Sequence, residues 1–244
     1  MQLKLTFSAN KPIYIPKNHH AMIQGFLYHL LKSVPEYANF LHETGYGNGP
    51  HRFKLFVYSD FMGDYFVENN HLVFYNNISL EIRSPVSDFC KVLMISILNS
   101  NQFELDHQPI SLTECTLSYK NVSSDKITIR MVSPLTLSTT VYENDRKKTR
   151  FIRPGDKDFS SAFLHNTMSK YCAAYGDTSP QSVIITPLSV TKEDKYVTKF
   201  NNRIYINAWY GCYQLEASAE LLSFLYDTGI GSRNSQGFGM FELI

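Results

Sequence analysis

A repeated order of strand and helix patterns constrains this chain more than any other feature of its sequence. LKLTFSA alternates apolar and polar residues, as a half-buried strand does. HHAMIQGFLYHLLK then carries Met22, Ile23, Phe26, Leu27, Leu30 and Leu31 at helical spacing, with Asn18 placed to cap it. Ser33 and Glu36 have the spacing of a capping box, which opens a short second helix with His42 in its final turn. HRFKLFVYS reads as a strand with Phe53, Leu55 and Val57 on one face and Lys54 and Phe56 on the other. HLVFY and SLEIR follow as a strand pair, VSDFCKVLMISILNS as a long apolar helix, and ISLTECTLSYK as a closing strand. Apart from the short helix, the order is β-α-β-β-α-β, that of the ferredoxin-like or split βαβ unit.

The polar break NVSSD at 121–125 separates this unit from a second one of similar outline. KITIRMV and LSTTVY are strand-like, KDFSSAFLHNTMSKYCAAYG is helical, and SVIITPLSV and RIYINAWYGCYQLEAS are strands. ASAELLSFLYD is again helical and GFGMFEL is the last strand. The expected architecture is therefore α+β, two tandem ferredoxin-like (RRM-like) domains, with boundaries 1–122 and 123–244. A hydrophobic content of 43% supplies a core for each.

The sequence shows no secretory h-region and no 18-residue apolar run. Cys90, Cys115, Cys172 and Cys212 are scattered singly, which suggests neither a zinc site nor a disulfide framework. A cytoplasmic protein with reduced thiols is the expectation. Net charge is only +1, yet Arg146, Lys147, Lys148, Arg150, Arg153 and Lys157 are clustered. Such a cluster can neutralise phosphates, or it can be a solvated hairpin tip.

The last stretch, YDTGIGSRNSQGFGMFELI, places Gly229, Gly231, Gly237 and Gly239 around Ser232, Arg233, Asn234 and Ser235. Glycines allow close backbone approach, successive N–H groups can form an anion-binding nest, and Arg233 adds a fork suited to phosphate. No Lys-Ser/Thr pair follows, which sets aside a P-loop. The order helix, loop, strand sets aside a dinucleotide fingerprint. A helix C-cap at Gly229 with a turn into an edge strand is the alternative.

For chemistry, the eight histidines form no metal-binding spacing, and Asp60 with Asp64, or Asp156 with Asp158, read as solvated pairs. There is no GxSxG elbow and no cysteine beside a base, so neither metal nor cofactor is expected. Acid–base chemistry is the class left. RNA permits it, because a 2′-OH can attack the adjacent phosphate given a base, an acid and a cation. Tyr28 lies off the apolar stripe of its helix near Gly25 and Ala21, and His42 sits at a helix C-terminus, which favours positive charge.

G-I-G-x-x-x-S-x-G-F-G-M resembles the glycine-rich signature of the repeat-associated (RAMP) proteins of CRISPR systems. N-H-H-A-M-I-Q-G-F-L-Y, F-L-H-E, K-L-F-V-Y-S and K-Y-C-A-A-Y-G-D resemble the endoribonuclease family of that group that cuts the CRISPR precursor transcript. The resemblance implies metal-independent cleavage of CRISPR repeat RNA, leaving a 2′,3′-cyclic phosphate and a 5′-hydroxyl on the guide RNA. By position it implies Tyr28 as the group acting on the 2′-OH, His42 as the proton donor and Lys54 as the stabilising cation. A tyrosine near pKa 10 either needs a cation to act as base or only orients the 2′-OH. His51 and Arg52, after the glycine-rich turn Gly45–Pro50, share or replace the part of Lys54 in the alternative assignment. The glycine loop (Gly229, Gly231, Ser232, Arg233, Asn234, Ser235, Gly237) and the basic segment (Arg146, Lys147, Lys148, Arg150) would hold the repeat in the cleft between domains. Implied partners are repeat RNA, a multi-subunit effector complex and a second copy of the chain. A RAMP subunit that binds crRNA without cutting it is the rival reading.

Overall fold

The computed structural model describes residues 1–47, 52–100, 102–176, 181–200 and 204–244. The first half runs β1 (Gln2–Ser8), β2 (Ile13–Pro16), α1 (His20–Leu31), α2 (Pro35–Asn39), a π-helical turn (Phe40–Thr44) and β3 (Val57–Tyr58). It continues with β4 (Tyr65–Glu68), β5 (His71–Phe74), β6 (Ile78–Arg83), α3 (Ser87–Leu98), β7 (Phe103–Leu105) and β8 (Gln108–Ser118). The second half runs β9 (Lys126–Met131), β10 (Ser138–Glu143), β11 (Arg146–Phe151), α4 (Phe159–Tyr175), β12 (Ile184–Ser189) and β13 (Lys195–Phe200). It ends with β14 (Ile204–Trp209), β15 (Cys212–Glu216), α5 (Ala219–Thr228) and β16 (Phe241–Leu243).

The first main sheet has the order β3-β6-β1-β8-β7 and the second β12-β15-β9-β16. Every pairing in both is antiparallel. Counting only the four strands of a β-α-β-β-α-β unit, each sheet has the spatial order second, third, first, fourth. The chain is thus built of tandem ferredoxin-like units. Alternation explains the strands: Leu3, Leu5 and Phe7 of β1 are fully buried while Lys4 between them is exposed. The main core cluster of the first half takes residues from Met1 to Ile110, that of the second takes Leu55 and residues from Val122 to Phe241, and a small third one joins Phe200, Ile206, Ala208 and Phe238.

Several expectations fail locally. Among the described residues of HRFKLFVYS only Val57 and Tyr58 form a strand, because Leu55 has φ 53°, a conformation a pleated strand does not hold. That kink sends Leu55 into the second core and Phe56 into the first, where Phe56 stacks on Phe89 at 4.5 Å. HLVFY and SLEIR are not a pair: β5 joins β2 and β4 in a separate sheet, while β6 joins β1 and β3. RIYINAWYGCYQLEAS breaks at Tyr210–Gly211 into β14, paired with β13, and β15. The N-cap of α1 is His19 without a side-chain cap, and Asn18 instead accepts from the Thr198 hydroxyl at 2.9 Å. Ser33 bonds to Leu30 and Ser96, leaving α2 uncapped.

The two halves are clamped by charge. Arg83, 2% exposed, donates to the Phe241 carbonyl at 2.6 Å and lies 3.8 Å above the Tyr226 ring. The N-terminal ammonium of Met1 pairs with Asp227 at 2.7 Å. Among the described residues no helix is long and apolar enough to cross a membrane.

Candidate functional site

Three segments of the first half bring Tyr28, His42 and Lys54 together. Tyr28 projects half-buried from α1, with its ring edge-on to the His42 ring at 6.0 Å and 88°. His42 rides on the π-helical turn, which the Gly45 N–H closes on the Phe40 carbonyl at 2.7 Å. Gly45 has φ 66°, and a Cβ there would meet the Phe53 carbonyl oxygen at 2.6 Å and Lys54 Nζ at 3.3 Å. Glycine is therefore what lets Lys54 reach the turn, where its ammonium donates to the His42 carbonyl at 3.0 Å.

His42 Nδ1 donates to the Glu43 carboxylate at 2.8 Å, which leaves Nε2 free to face a substrate. The His42 side chain is 72% exposed. Burial pushes the Tyr28 phenol up to about 12. Burial also lowers the Lys54 ammonium, with the Glu43 carboxylate opposing the shift. Arg52 is exposed beside this group, and His51 lies outside the described residues. Glu43, which aims the imidazole, was visible in the sequence only as the neighbour of His42.

The glycine loop is a braced element. Its four glycines all have positive φ, and at Gly237 a Cβ would sit 2.7 Å from Tyr58 of the first half. The buried Lys170 of α4 holds the loop from below. Its ammonium donates to the Gly229 carbonyl (2.7 Å), the Gly231 carbonyl (3.2 Å) and Asn234 Oδ1 (2.7 Å). Asn234 Nδ2 in turn donates to the Ile230 and Phe238 carbonyls at 3.0 and 2.9 Å. Backbone N–H groups of Gly229, Ile230, Ser232, Gln236, Gly237 and Gly239 likewise donate to protein carbonyls. These bonds brace the loop and fix the tight chain reversal that its glycines allow. Arg233, at φ 61°, remains partly exposed with Nη1 donating to Gln236 at 2.9 Å, and Ser232 and Ser235 are partly exposed beside it. Lys170 was not foreseen, since a lysine in a helical pattern reads as a surface residue.

A cleft of about 930 Å³ separates the halves, with Lys54, Thr149, Lys170 and Arg233 among its walls. Tyr28 and His42 lie outside it, and Lys54 spans from its wall to His42. The β10–β11 hairpin forms one rim, turning through Asn144 and Asp145 at φ 50° and 59°. Arg146, Lys147, Lys148 and Arg150 are all exposed on it. Lys148 pairs with Glu143 and Arg150 with Asp158, while Arg146 and Lys147 make no ion pair among the described residues.

The structure also gathers a group that spacing did not reveal. His19, His20 and Asp60 converge within 4.8 Å. Asp60 is not a solvated partner of Asp64. Burial raises its carboxyl, and the imidazoles of His19 and His20 more than offset that, holding it well below the usual carboxylate range.

Residues 117–243 match the model of the family described as "CRISPR associated protein Cas6, C-terminal". The chain belongs to the Cas6 family. A Pyrococcus furiosus protein named CRISPR-associated endoribonuclease Cas6 is 28% identical over 239 residues, covering 94% of this chain and 83% of that protein. CRISPR-associated endoribonuclease Cas6 1 of Methanocaldococcus jannaschii is 22% identical over 243 residues, covering 98% and 91%. A solved structure described as "An RAMP protein binding different RNA substrates" superposes with a TM-score of 0.84 at 18% identity, covering 100% of this chain and 99% of the other. At that identity the likeness shows the fold, in agreement with the two Cas6-type ferredoxin-like sheets.

Proposed function

We propose that this member of the Cas6 family, an endoribonuclease that cuts precursor CRISPR RNA, works by internal attack of a ribose 2′-OH at Tyr28, His42 and Lys54. The 2′-oxygen bonds to the adjacent phosphorus as the bond from phosphorus to the 5′-oxygen breaks, giving a 2′,3′-cyclic phosphate and a 5′-hydroxyl. His42 gives the leaving 5′-oxygen its proton from Nε2, while Glu43 holds Nδ1. A Tyr28 phenol pushed up to about 12 is neutral near pH 7. Its part is then to fix the 2′-OH in line for attack, with the 2′-OH proton passing to water. Lys54 sets its positive charge next to His42 and opposes the charge that develops on the phosphoryl oxygens.

The observation that carries this reading is the meeting of a phenol, an imidazole and an ammonium from three separate segments, with Lys54 joining them to the wall of the cleft between the halves. Arg233, Ser232 and Ser235 of the loop, with Arg146 and Lys147 of the hairpin, would hold the RNA backbone. Gly229, Gly231, Gly237 and Asn234 would shape that surface. The repeat would lie across both units, 1–122 and 123–244, in the cytoplasm. Transfer of the product to a multi-subunit effector complex, and pairing of two copies, are assemblies that size measurement with and without RNA would reveal.

The test is single-turnover cleavage of a labelled repeat RNA with no divalent ion added, beside a substrate carrying a 2′-deoxy group at the scissile nucleotide. The expected result is a cyclic phosphate product from the first and no cut in the second. Cleavage of the deoxy substrate would refute internal attack. Tight binding with no cut in either would instead support a crRNA-binding subunit.

A further inference from the structure

Away from the candidate cleavage site, three ligand-type side chains meet: His19 and His20 at the start of α1, and Asp60 just after β3. His19 Nδ1 lies 3.1 Å from the Pro16 carbonyl, and His20 Nδ1 lies 3.2 Å from the Gln236 carbonyl. A carbonyl only accepts, so each Nδ1 carries a hydrogen and donates it. In a neutral imidazole that leaves the lone pair on Nε2. Both Nε2 atoms face one oxygen, Asp60 Oδ1, at 3.2 and 3.1 Å. His20 is 2% exposed, and its Nε2 makes no hydrogen bond of acceptable geometry.

Lone pairs converging on a carboxylate oxygen require positive charge. One divalent cation satisfies all three donors at once. We propose that His19, His20 and Asp60 form a binding site for a divalent transition-metal ion, with Zn²⁺ the ion this donor set fits.

Two imidazoles and a carboxylate are ligands Zn²⁺ takes, with water in the fourth position. Bonds of about 2.0–2.2 Å in a tetrahedral arrangement place donor atoms roughly 3.3–3.6 Å apart, close to the two nitrogen-to-carboxylate separations here. The surrounding bonds are those that orient metal ligands. Each Nδ1–H is held by a carbonyl, and Asp60 Oδ2 accepts from the Tyr210 hydroxyl at 2.7 Å. The Asp60 side chain is 24% exposed, which admits a water.

The ion would act as a structural tie. It joins α1 and the segment after β3, and through Gln236 and Tyr210 it braces both against the second half. Tyr28 lies eight residues along α1, about 12 Å away at 1.5 Å per residue, so the ion takes no part in the cut.

Chelator-treated full-length protein would be dialysed against Zn²⁺ and its metal content measured, with a parallel Co²⁺ titration read in the visible. One Zn²⁺ per chain, four-coordinate Co²⁺ bands and a higher melting temperature are expected. Asp60→Asn should weaken binding more than about 100-fold, and the milder Tyr210→Phe by about 10–100-fold. Wild-type protein that binds no stoichiometric Zn²⁺ would overturn the proposal. So would binding that Tyr210→Phe leaves unchanged, even if Asp60→Asn does not fold.

Discussion

Replacing Lys170 with methionine tests how the glycine loop is held. The ammonium has three donors and meets three acceptors: two loop carbonyls and Asn234 Oδ1, at 2.7, 3.2 and 2.7 Å. Methionine fills similar space but donates nothing, which orphans three buried oxygens at about 1–3 kcal/mol each. Removing a buried charge returns part of that loss. A net destabilisation of about 3–5 kcal/mol follows, the size found when one partner of a buried charged network is deleted. For a chain of this size that is a fall in melting temperature of roughly 6–20 °C. The pH dependence carries a second signature. Burial lowers the Lys170 ammonium from 10.5 to about 7. Between those values the unfolded chain binds the extra proton and the folded chain does not, so this group makes stability rise with pH from about 7 to 10.5 and leaves it flat below. Urea denaturation at several pH values should show that rise in the wild type and a shallower slope in Lys170→Met. A loss below about 1 kcal/mol with unchanged slopes would mean that the loop stands without the lysine.

Other outcomes follow from the same geometry. Gly237→Ala places a Cβ 2.7 Å from Tyr58 at φ 87° and should cost about 2–5 kcal/mol in denaturant titration, from left-handed backbone strain plus overpacking. Arg146→Ala with Lys147→Ala should leave single-turnover cleavage at saturation unchanged. The slope of log affinity for repeat RNA against log salt should become shallower by about 0.7 for each phosphate that is no longer neutralised. Tyr28→Phe keeps the ring against His42 and Phe56 and removes only the hydroxyl that orients the 2′-OH, so stability should hold while cleavage falls by about 10²-fold.

The parts of this fold that were legible in sequence are those with a long period. The stripe of α1 buries Ile23, Phe26, Leu27, Leu30 and Leu31, and the alternation of β1 buries Leu3, Leu5 and Phe7, as their patterns predict. The small sheet β2-β5-β4 and the β13–β14 pair were not separated out, because four- to six-residue strands carry too few alternations to show which partner they join. Nothing local marks Leu55 for φ 53°; that kink follows from the demand of two cores on adjacent residues. Tyr28, His42 and Lys54 could be named because family motifs carry them, but their meeting depends on Gly45 leaving room for Lys54. The His19–His20–Asp60 cluster has no motif spacing, since a turn of tertiary structure brings Asp60 back to α1.

In the proposed mechanism His42 protonates the leaving 5′-oxygen. A repeat RNA with sulfur replacing that oxygen tests it directly, because a thiolate leaves without a proton. His42→Ala should cut ordinary RNA about 10²–10⁴-fold more slowly than the wild type yet cut the sulfur substrate at nearly the wild-type rate. Equal loss on both substrates would contradict His42 as the proton donor.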